Sequence, residues 1–154
     1  MSNIVLNTTP NIPSTTEKGI EQVTLLEEAL KQTPQEDLTT WHTLHGGIYT
    51  RTIRLAKGQI ISSVLIKIPT TLTINGHLLV YLGDTQQIVK GYGVVTASAN
   101  RKQLMIALED TIISMAFATN AETIGEAEEQ FTDSVDTLSS RREDSTNYIT
   151  ITGE

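Results

Sequence analysis

The three histidines of the sequence, His42, His45 and His77, are the side chains best suited to metal binding or acid–base chemistry. His42 and His45 lie three residues apart in TTWHTLHGG, close enough to share one metal ion if that segment were helical. Two glycines follow at once, however, and no acidic residue is placed to complete a ligand set. We therefore interpret the pair as loop histidines that hydrogen-bond to the backbone rather than as metal ligands.

Other patterns that carry enzyme chemistry are missing from the sequence. It contains no cysteine, which excludes disulfides, thiolate catalysis and every Cys-based zinc or iron–sulfur site. No serine stands in a Gly-x-Ser-x-Gly elbow, and there is no Gly-rich phosphate loop. Glu109 and Asp110 are adjacent and would point to opposite faces of a strand, so we interpret them as a turn between two strands. The sequence therefore predicts a protein that is not an enzyme.

Charge is concentrated at the C-terminal end of the chain. The formal net charge is −7, and residues 125–154 hold eight acidic residues against two arginines, which gives −6 there and −1 elsewhere. A nucleic-acid-binding protein would need a clustered basic face, so that partner is not expected. No window of about 18 apolar residues indicates a membrane span, and no secretion signal is seen. The acidic segment is typical of a solvated tail.

The elements that would position these residues begin with an arm and a helix. Residues 1–15 contain two prolines among Thr, Asn and Ser, a composition that favours extended or turn conformations. From Thr16 onwards, apolar residues recur at steps of three and four, which predicts one amphipathic helix that ends near Pro34. The apolar positions that define this helix are Ile20, Val23, Leu26 and Leu30.

After Pro34 the apolar pattern changes towards a period of two. Short β-rich runs separated by Gly, Asn and Asp predict an all-β sandwich or barrel. Asn75-Gly76 predicts a tight hairpin turn, which would leave His77 facing solvent. Residues 121–131 are predicted to be helical, and NYITIT near the end has strand propensity. The chain therefore divides into an extended arm (1–15), a helix plus β-domain (16–131) and an acidic tail with a possible terminal strand (132–154). The predicted strands of the β-domain are 48–55, 59–68, 71–74, 77–82, 87–90, 94–97, 103–108 and 111–119.

Four short motifs follow one another along the chain: GIYTRTIRLAKGQII, INGHLLVYLGD, NRK and ALEDT. Their order resembles the small single-domain cupins of the type encoded by tailed bacteriophages, and the first motif is similar to that family's first barrel strand and turn. The upstream EQVTLLEEALKQTPQEDL and a Glu-rich helix at the end extend the resemblance over roughly residues 20–131. The resemblance implies a mainly β fold, a cupin-like jelly-roll β-barrel preceded by one amphipathic helix and followed by a short helix and the acidic tail.

The same resemblance implies where metal ligands would stand. Metal-binding members place histidines on either side of a lysine, on the strand after the Gly turn, and another on the last core strand. Matched position by position, the lysine is Lys67, but the ligand positions hold Ile66, Thr70 and Phe117. Ile and Phe cannot coordinate a divalent ion and Thr is a poor ligand. The resemblance therefore implies a barrel that has lost its metal site and uses no cofactor.

This resemblance, together with the N-terminal arm (1–15) and the acidic tail (132–154) outside the β-domain, leads to two expected functions. The first is a non-catalytic, oligomeric structural or binding component, such as a phage virion accessory or decoration protein. Its N-terminal arm and C-terminal tail would add to the sheet edges of a second copy or of other virion proteins. The protein would then be found in the virion or the host cytoplasm, and it would contact neither nucleic acid nor membrane.

The alternative is a protein that binds a small molecule, or one that binds a host factor. An anionic nucleotide or sugar inside the barrel would be held by Arg51, Lys67 and Tyr49, the charged and polar residues that lie within strand patterns. Arg51 and Lys67 could equally face outwards with their aliphatic stems on the barrel wall. A metal-independent sugar-nucleotide epimerase would need a His base and a Tyr acid on facing strands, and His77 is the strand-borne histidine available.

Overall fold

The computed structural model describes residues 2–6, 11–34 and 36–154. In this part the chain is mainly β, with one longer helix, α1 (Glu17–Leu30), before the sheet and a shorter one, α2 (Ile124–Phe131), after it. The predicted fold class is confirmed in these features. None of the described helices has the length and apolar character needed to cross a membrane. The strands are β1 (Asn11–Ile12), β2 (Thr39–His45), β3 (Ile48–Leu55), β4 (Ile60–Ser62), β5 (Thr70–Tyr81), β6 (Gln86–Ala97), β7 (Leu104–Ala107), β8 (Thr111–Ala118) and β9 (Thr146–Ile151).

Helix α1 forms where the sequence pattern predicts it. The Thr16 hydroxyl caps its first turn by accepting a hydrogen bond from the amide of Gly19 at 3.0 Å. Val23 is fully buried beneath the helix, and the charged residues between the apolar positions face solvent, except Glu27, which is partly buried and pairs with Lys102 at 3.2 Å. Gly19 sets how closely the helix approaches the sheet, because a Cβ at this position would lie 2.4 Å from the carbonyl oxygen of Leu82.

Strand β5 is shared between two parts of the sheet. It pairs with β6 along its whole length, from Thr70 opposite Ala97 to Tyr81 opposite Gln86. On its other edge, residues 71–75 pair with β8 and residues 78–81 pair with β7. This change of partner bends the sheet over a common core, in which inward-facing residues from both halves of β5 are buried. These residues are Leu72, Ile74, Leu78 and Val80.

The predicted hairpin at Asn75-Gly76 is wrong. This dipeptide lies in the middle of β5, where the strand changes partner, and the turn between β5 and β6 is closed by Leu82 N bonding Thr85 O at 2.9 Å. Gly76 has φ of 147° and passes so close to the backbone of Asp110 that a Cβ would lie 2.5 Å from its carbonyl oxygen. A glycine required by a bend and a close approach gives the same sequence signal as a tight turn. The predicted strands 87–90 and 94–97 are likewise one strand, β6, which continues through Gly91 and Gly93.

The loop predicted at TTWHTLHGG is also wrong. The segment forms β2, which pairs antiparallel with β3 through a two-residue turn at Gly46 and Gly47, both with positive φ. Its inward residues are Thr40, His42 and Leu44, so two polar side chains hide the alternation by which a strand is recognised. The predicted strand 59–68 is shorter than expected, with β4 followed by a single bridge between Ile66 and Arg101.

The acidic tail is folded onto the domain rather than solvated along its length. Its terminal strand β9, which the sequence predicted, pairs parallel with β2 of the same chain. Between α2 and β9, two short 3-10 helices (Val135–Thr137 and Ser139–Arg141) bring Leu138 and Ser140 into buried positions. The main strand order runs β1-β6-β5-β8-β3-β2-β9, and its two end strands do not pair with each other in the described structure, so this sheet does not close into a complete barrel.

Candidate binding site

A partly open cavity of about 90 Å³ lies between the two halves of the sheet. Its walls come from strands β3, β4, β5, β7 and β8, from the segment between β6 and β7, and from residues 131–139 beyond α2. Most of the lining is aliphatic or thioether, including Ile66, Met105 and Met115. Two arginines, Arg51 and Arg101, also line it, and they differ in how their charges are compensated.

Arg101 is fully buried at the end of the segment that follows β6. Its backbone is fixed by two hydrogen bonds with Ile66, of 2.9 and 3.1 Å. Its guanidinium donates to Ser98 O and to Thr70 Oγ1, both at 2.6 Å, and contacts Met115 Sδ at 3.9 Å. The Nε group finds no acceptor among the described residues. Because a guanidinium has five N–H donors, part of its hydrogen-bonding capacity remains unused.

No carboxylate neutralises Arg101. The ion pairs of the described residues do not include it, and the sequence has no Asp or Glu at positions 1, 7–10 or 35. Burial of the charge lowers the pKa of Arg101 to about 10, so the side chain still carries its charge at neutral pH. A buried charge without a partner costs several kcal/mol.

Gln103 adds a second incompletely bonded group to the same cavity. Its side chain is 1% exposed, and its Oε1 has no hydrogen-bond donor within the described part of the chain. Its backbone amide is held by Ser63 Oγ at 3.1 Å, which fixes the residue on the cavity wall. Two residues of the cavity wall therefore each hold a buried polar atom that has no hydrogen-bond partner within the described residues.

The charge of Arg51, by contrast, is compensated inside the protein. Its Nη1 lies 3.1 Å from Glu128 Oε2 and its Nη2 donates to Ser140 Oγ at 2.7 Å. The guanidinium also lies 5.7 Å from the centre of the Phe131 ring. Glu128 is buried and accepts two further bonds from Arg141, at 3.1 and 2.9 Å. Arg51 therefore faces inwards and links β3 to Glu128 and Ser140 in the C-terminal part of the chain. The alternative in which its side chain faces outwards is wrong.

The other two predicted binding residues lie away from the cavity. Tyr49 is fully buried, packs against the rings of Phe117 and Phe131, and bonds His42 through its hydroxyl at 2.7 Å. Lys67 is partly exposed and pairs with Asp133 at 2.6 Å. Of the three residues that the sequence predicted to hold a ligand, Arg51 alone lines the cavity.

The histidines do not form a metal or catalytic pair. His42 is 2% exposed, whereas His45 is exposed and bonds Thr152 Oγ1 at 2.6 Å, because residues three apart in a strand point to opposite faces. Burial is the main cause that lowers the pKa of His42, and it is also the main cause that raises the pKa of Tyr49. The His42–Tyr49 bond is internal to the core, and neither residue lines the cavity.

The residues present do not fit a metal. Ile66, Thr70 and Phe117, which the resemblance places at the ligand positions, are all buried, and two of them are hydrocarbon side chains. Thr70 Oγ1 already accepts a bond from the guanidinium of Arg101, and this fixed positive charge would repel a cation there. Within the described residues, no group of three His, Asp or Glu side chains could hold a metal ion.

Comparisons with known proteins agree with the fold and go no further. No protein-family model matches the chain, and no curated protein matches its sequence significantly. A cupin-2 domain protein from Shewanella frigidimarina is similar over 60% of this chain and 91% of its own, with 7% identity and a TM-score of 0.44. A cupin superfamily protein from Desulfitobacterium hafniense is similar over 57% and 83%, with 8% identity and a TM-score of 0.45. A protein of unknown function from Rhizobium leguminosarum is similar over 60% and 89%, with 14% identity and a TM-score of 0.45. The chain thus resembles cupin domains, and at these scores no function is carried over.

Proposed function

We propose that this chain is a metal-free, non-catalytic binding protein that holds a small molecule in the cavity beside Arg101. One observation carries the proposal: the guanidinium of Arg101 is fully buried at the cavity, has no acidic partner in the chain, and keeps an unbonded Nε. A charged group that is desolvated beside a cavity is a candidate for a binding site, because an anion bound there would compensate its charge. The proposal takes up the small-molecule alternative from the sequence, with Arg101 instead of Lys67 and Tyr49 at its centre.

The character of the cavity wall supports binding rather than catalysis. The polar lining consists of arginine, glutamine, serine and threonine side chains, and it contains no His, Asp, Glu or Tyr from the described residues. General acid–base catalysis needs a group that exchanges a proton near neutral pH within reach of the bound molecule. His42 and Tyr49 could exchange a proton with each other but lie outside the cavity.

Native mass spectrometry of the purified protein, with and without a chelator, tests this proposal. We expect no mass corresponding to a divalent metal and a small organic adduct that dissociates on unfolding and can be identified in the supernatant. The Arg101→Met variant should lose the adduct, whereas Arg54→Met, an exposed arginine on β3, should keep it. A stoichiometric metal, or an adduct that both variants retain, would contradict the proposal.

The oligomeric component expected from the sequence is a second candidate, supported by a different observation. Strand β9 is an end strand of the sheet, carries no charged residue, and has Tyr148, Ile149 and Ile151 at least half exposed. An uncharged, apolar edge strand is an open template for pairing with another chain. We propose that a second copy of this chain covers it.

Light scattering of the purified protein tests this second candidate. The double substitution Ile149→Lys and Ile151→Lys should convert a dimer into a monomer, because charged side chains on an edge strand oppose pairing. The control Ile88→Lys, at an exposed position of β6, should leave the dimer intact. A wild-type protein that is monomeric at high micromolar concentration would rule the candidate out. A place in a phage virion stays a prediction, which detection of the protein in purified particles would test.

A further inference from the structure

We infer that a second copy of this chain packs against the solvent-facing side of the strands β6, β5, β8, β3, β2 and β9. The inference rests on the association between copies proposed above as the second candidate, and it names a surface for that association besides the edge of β9. We call this surface the outer face. Its charge, its hydroxyl groups, its shape and its size each favour a second copy as the partner.

The strand register aligns the side chains of the outer face in rows that cross the sheet. Successive residues of a strand point to opposite faces, so directly paired residues of neighbouring strands share one face. One row contains, from β6 to β9, Thr96, Thr71, Ala116, Thr50, Thr43 and Thr150. The next row contains, in the same order, Val94, Thr73, Ser114, Thr52, Trp41 and Tyr148. All of these residues are exposed or partly exposed, and the two rows define the outer face.

The outer face is uncharged, although the whole chain has a formal net charge of −7. Two copies of an acidic chain repel each other unless they approach through surfaces that lack acidic residues. Neither row contains an acidic or basic side chain, and Arg54 of β3 stands only in the adjoining row, opposite Ile112 of β8. Depletion of charge is typical of the centre of a protein–protein interface.

The hydroxyl groups of the outer face make it complementary to itself. Most of its side chains are threonines, and Ser114 and Tyr148 add further hydroxyl groups. A hydroxyl group both donates and accepts hydrogen bonds, so two identical faces can bond to each other in a symmetric pair. Thr52 and Ser114 show such a bond within one copy, where their side-chain oxygens lie 2.7 Å apart. A face of carboxylates or of ammonium groups could not pair with its own copy in this way.

Side-chain size varies across the outer face as a contact between two sheets requires. Sheets are twisted, so two sheets that pack face to face separate towards the corners of the contact. The central strands carry small side chains, among them Ser114 and Thr52. Larger side chains stand at the margins, with Val94 on β6 and with Trp41 and Tyr148 stacked on β2 and β9, their ring centres 5.9 Å apart. Tyr148 is 57% exposed, so its ring is available to fill the space that the twist opens.

The size of the outer face suits a reversible pair. Six strands about 4.8 Å apart span about 24 Å, and four outward positions along each strand span about 20 Å. Two copies would then bury about 1,000 Å² in total, which is near the lower limit for a specific interface. We therefore expect a pair that dissociates on dilution.

The single tryptophan of the chain reports on this contact, because Trp41 lies in the second row. Sedimentation measures the molar mass while the wild-type protein is diluted from high micromolar to nanomolar concentration, and fluorescence is recorded on the same samples. We expect the mass to fall to that of a single chain and the Trp41 emission to shift to longer wavelength over the same range, since water then reaches the indole. A fall in mass without this shift would overturn the inference, because the partner would then cover another surface.

Charged substitutions test the same surface by repulsion. Thr43→Lys and Thr71→Lys together place one lysine on β2 and one on β5, at positions that are exposed in the single chain. Like charges from the two copies then oppose contact, so the concentration at which half of the pairs dissociate should rise at least about tenfold. Thr85→Lys with Gln86→Lys adds the same charge at exposed positions outside the outer face, and it should leave the association unchanged.

The outcomes separate the outer face from the edge of β9. If Thr43→Lys with Thr71→Lys associates as the wild type does while Ile149→Lys with Ile151→Lys associates more weakly, the inference fails and the edge pairing stands. If the face substitutions weaken association and the edge substitutions do not, the outer face holds the pair without the edge. A wild-type protein that sediments as a single chain at high micromolar concentration would overturn the inference and the second candidate together. The binding of a small molecule beside Arg101 is tested separately and is not affected by these outcomes.

Discussion

Tyr49 donates its hydroxyl proton to His42 Nδ1 across 2.7 Å in the core of the protein. The direction follows from the other side of the ring, where Nε2 lies 2.7 Å from Asn147 Oδ1, an acceptor that requires Nε2 to carry the proton. The neutral imidazole therefore has its bare nitrogen facing Tyr49. Because Asn147 belongs to β9, this ring connects β2, β3 and the terminal strand through two hydrogen bonds.

We predict that this arrangement makes stability depend on pH below the ordinary pKa of histidine. Burial lowers the pKa of His42 in the folded protein, with Arg51 adding to the effect and the bond to Asn147 and the charge of Glu128 opposing it. The unfolded chain binds a proton at about pH 6.5 and the folded protein does so at a lower pH, so the free energy of unfolding decreases as pH falls below about 6.5. Urea unfolding from pH 8 to pH 5 measures this.

The His42→Gln variant provides the comparison, since it keeps polar atoms at the site and removes the titration. The difference in unfolding free energy between wild type and variant should shrink as pH falls from 7 to 5. The exposed His45→Gln serves as a control and should follow the wild-type curve. A difference that stays constant over this range would show that His42 titrates as it does in the unfolded chain.

Glu128→Gln should destabilise the protein by about 3 kcal/mol, because it removes the negative charge that neutralises the buried Arg51. The remaining side-chain oxygen still accepts one bond, but the charge of Arg51 is left without a partner. Chemical denaturation measures the change. Glu129→Gln, an exposed neighbour on α2, should have less than about 0.5 kcal/mol of effect. Equal effects of the two substitutions would show that the Arg51 pair adds little.

Arg101→Met should raise the stability of the ligand-free protein, although it removes two hydrogen bonds of 2.6 Å. A buried, unpaired charge destabilises the folded state, and replacing buried charges by apolar groups of similar size often stabilises by 1 to 4 kcal/mol. We expect a gain of about 1 kcal/mol in chemical denaturation after exhaustive dialysis. A loss of several kcal/mol would instead make Arg101 a structural residue and weaken the case for a ligand.

Gly19→Ala should destabilise the protein by about 2 kcal/mol, although alanine is the better helix former. The added methyl would lie 2.4 Å from Leu82 O and push α1 away from the β5–β6 turn. Gly125→Ala in α2 is the matched control, because its Cβ meets nothing closer than 3.8 Å, and it should stabilise by about 0.5 kcal/mol. Thermal unfolding of the two variants should therefore move in opposite directions.

Features that depend on neighbours in sequence were predicted well. Helix α1 follows from apolar residues at helical spacing between the Thr16 cap and Pro34, and the turn at Glu109-Asp110 follows from polar residues between two apolar runs. The terminal strand β9 was recognised from its β-branched residues. The lack of cysteine, and of histidine between Gly46 and Gly76 and after His77, was visible from the sequence alone.

Features that depend on partners far along the chain were not predictable in this way. Asn75-Gly76 has the composition of a turn, and only the approach of Asp110 and the change from β8 to β7 make it a bend within one strand. Strand β2 does not show an alternating apolar pattern, because its inward positions include Thr40 and His42. The ring of His42 is accommodated by hydrogen bonds to Tyr49 and to the distant Asn147.

Arg101 shows the same division at the candidate site. In the sequence it stands between Asn100 and Lys102, a polar context typical of a solvated turn, and nothing nearby indicates burial. The tertiary structure places it 31 residues from its partner Thr70 and inside the fold, without a carboxylate. The sequence by itself determined the helix, the β-rich composition and the absence of cysteine, because these depend on residue type and local spacing. Only the tertiary structure decided which charge is buried and unpaired, because burial is set by contacts between segments that are distant along the chain.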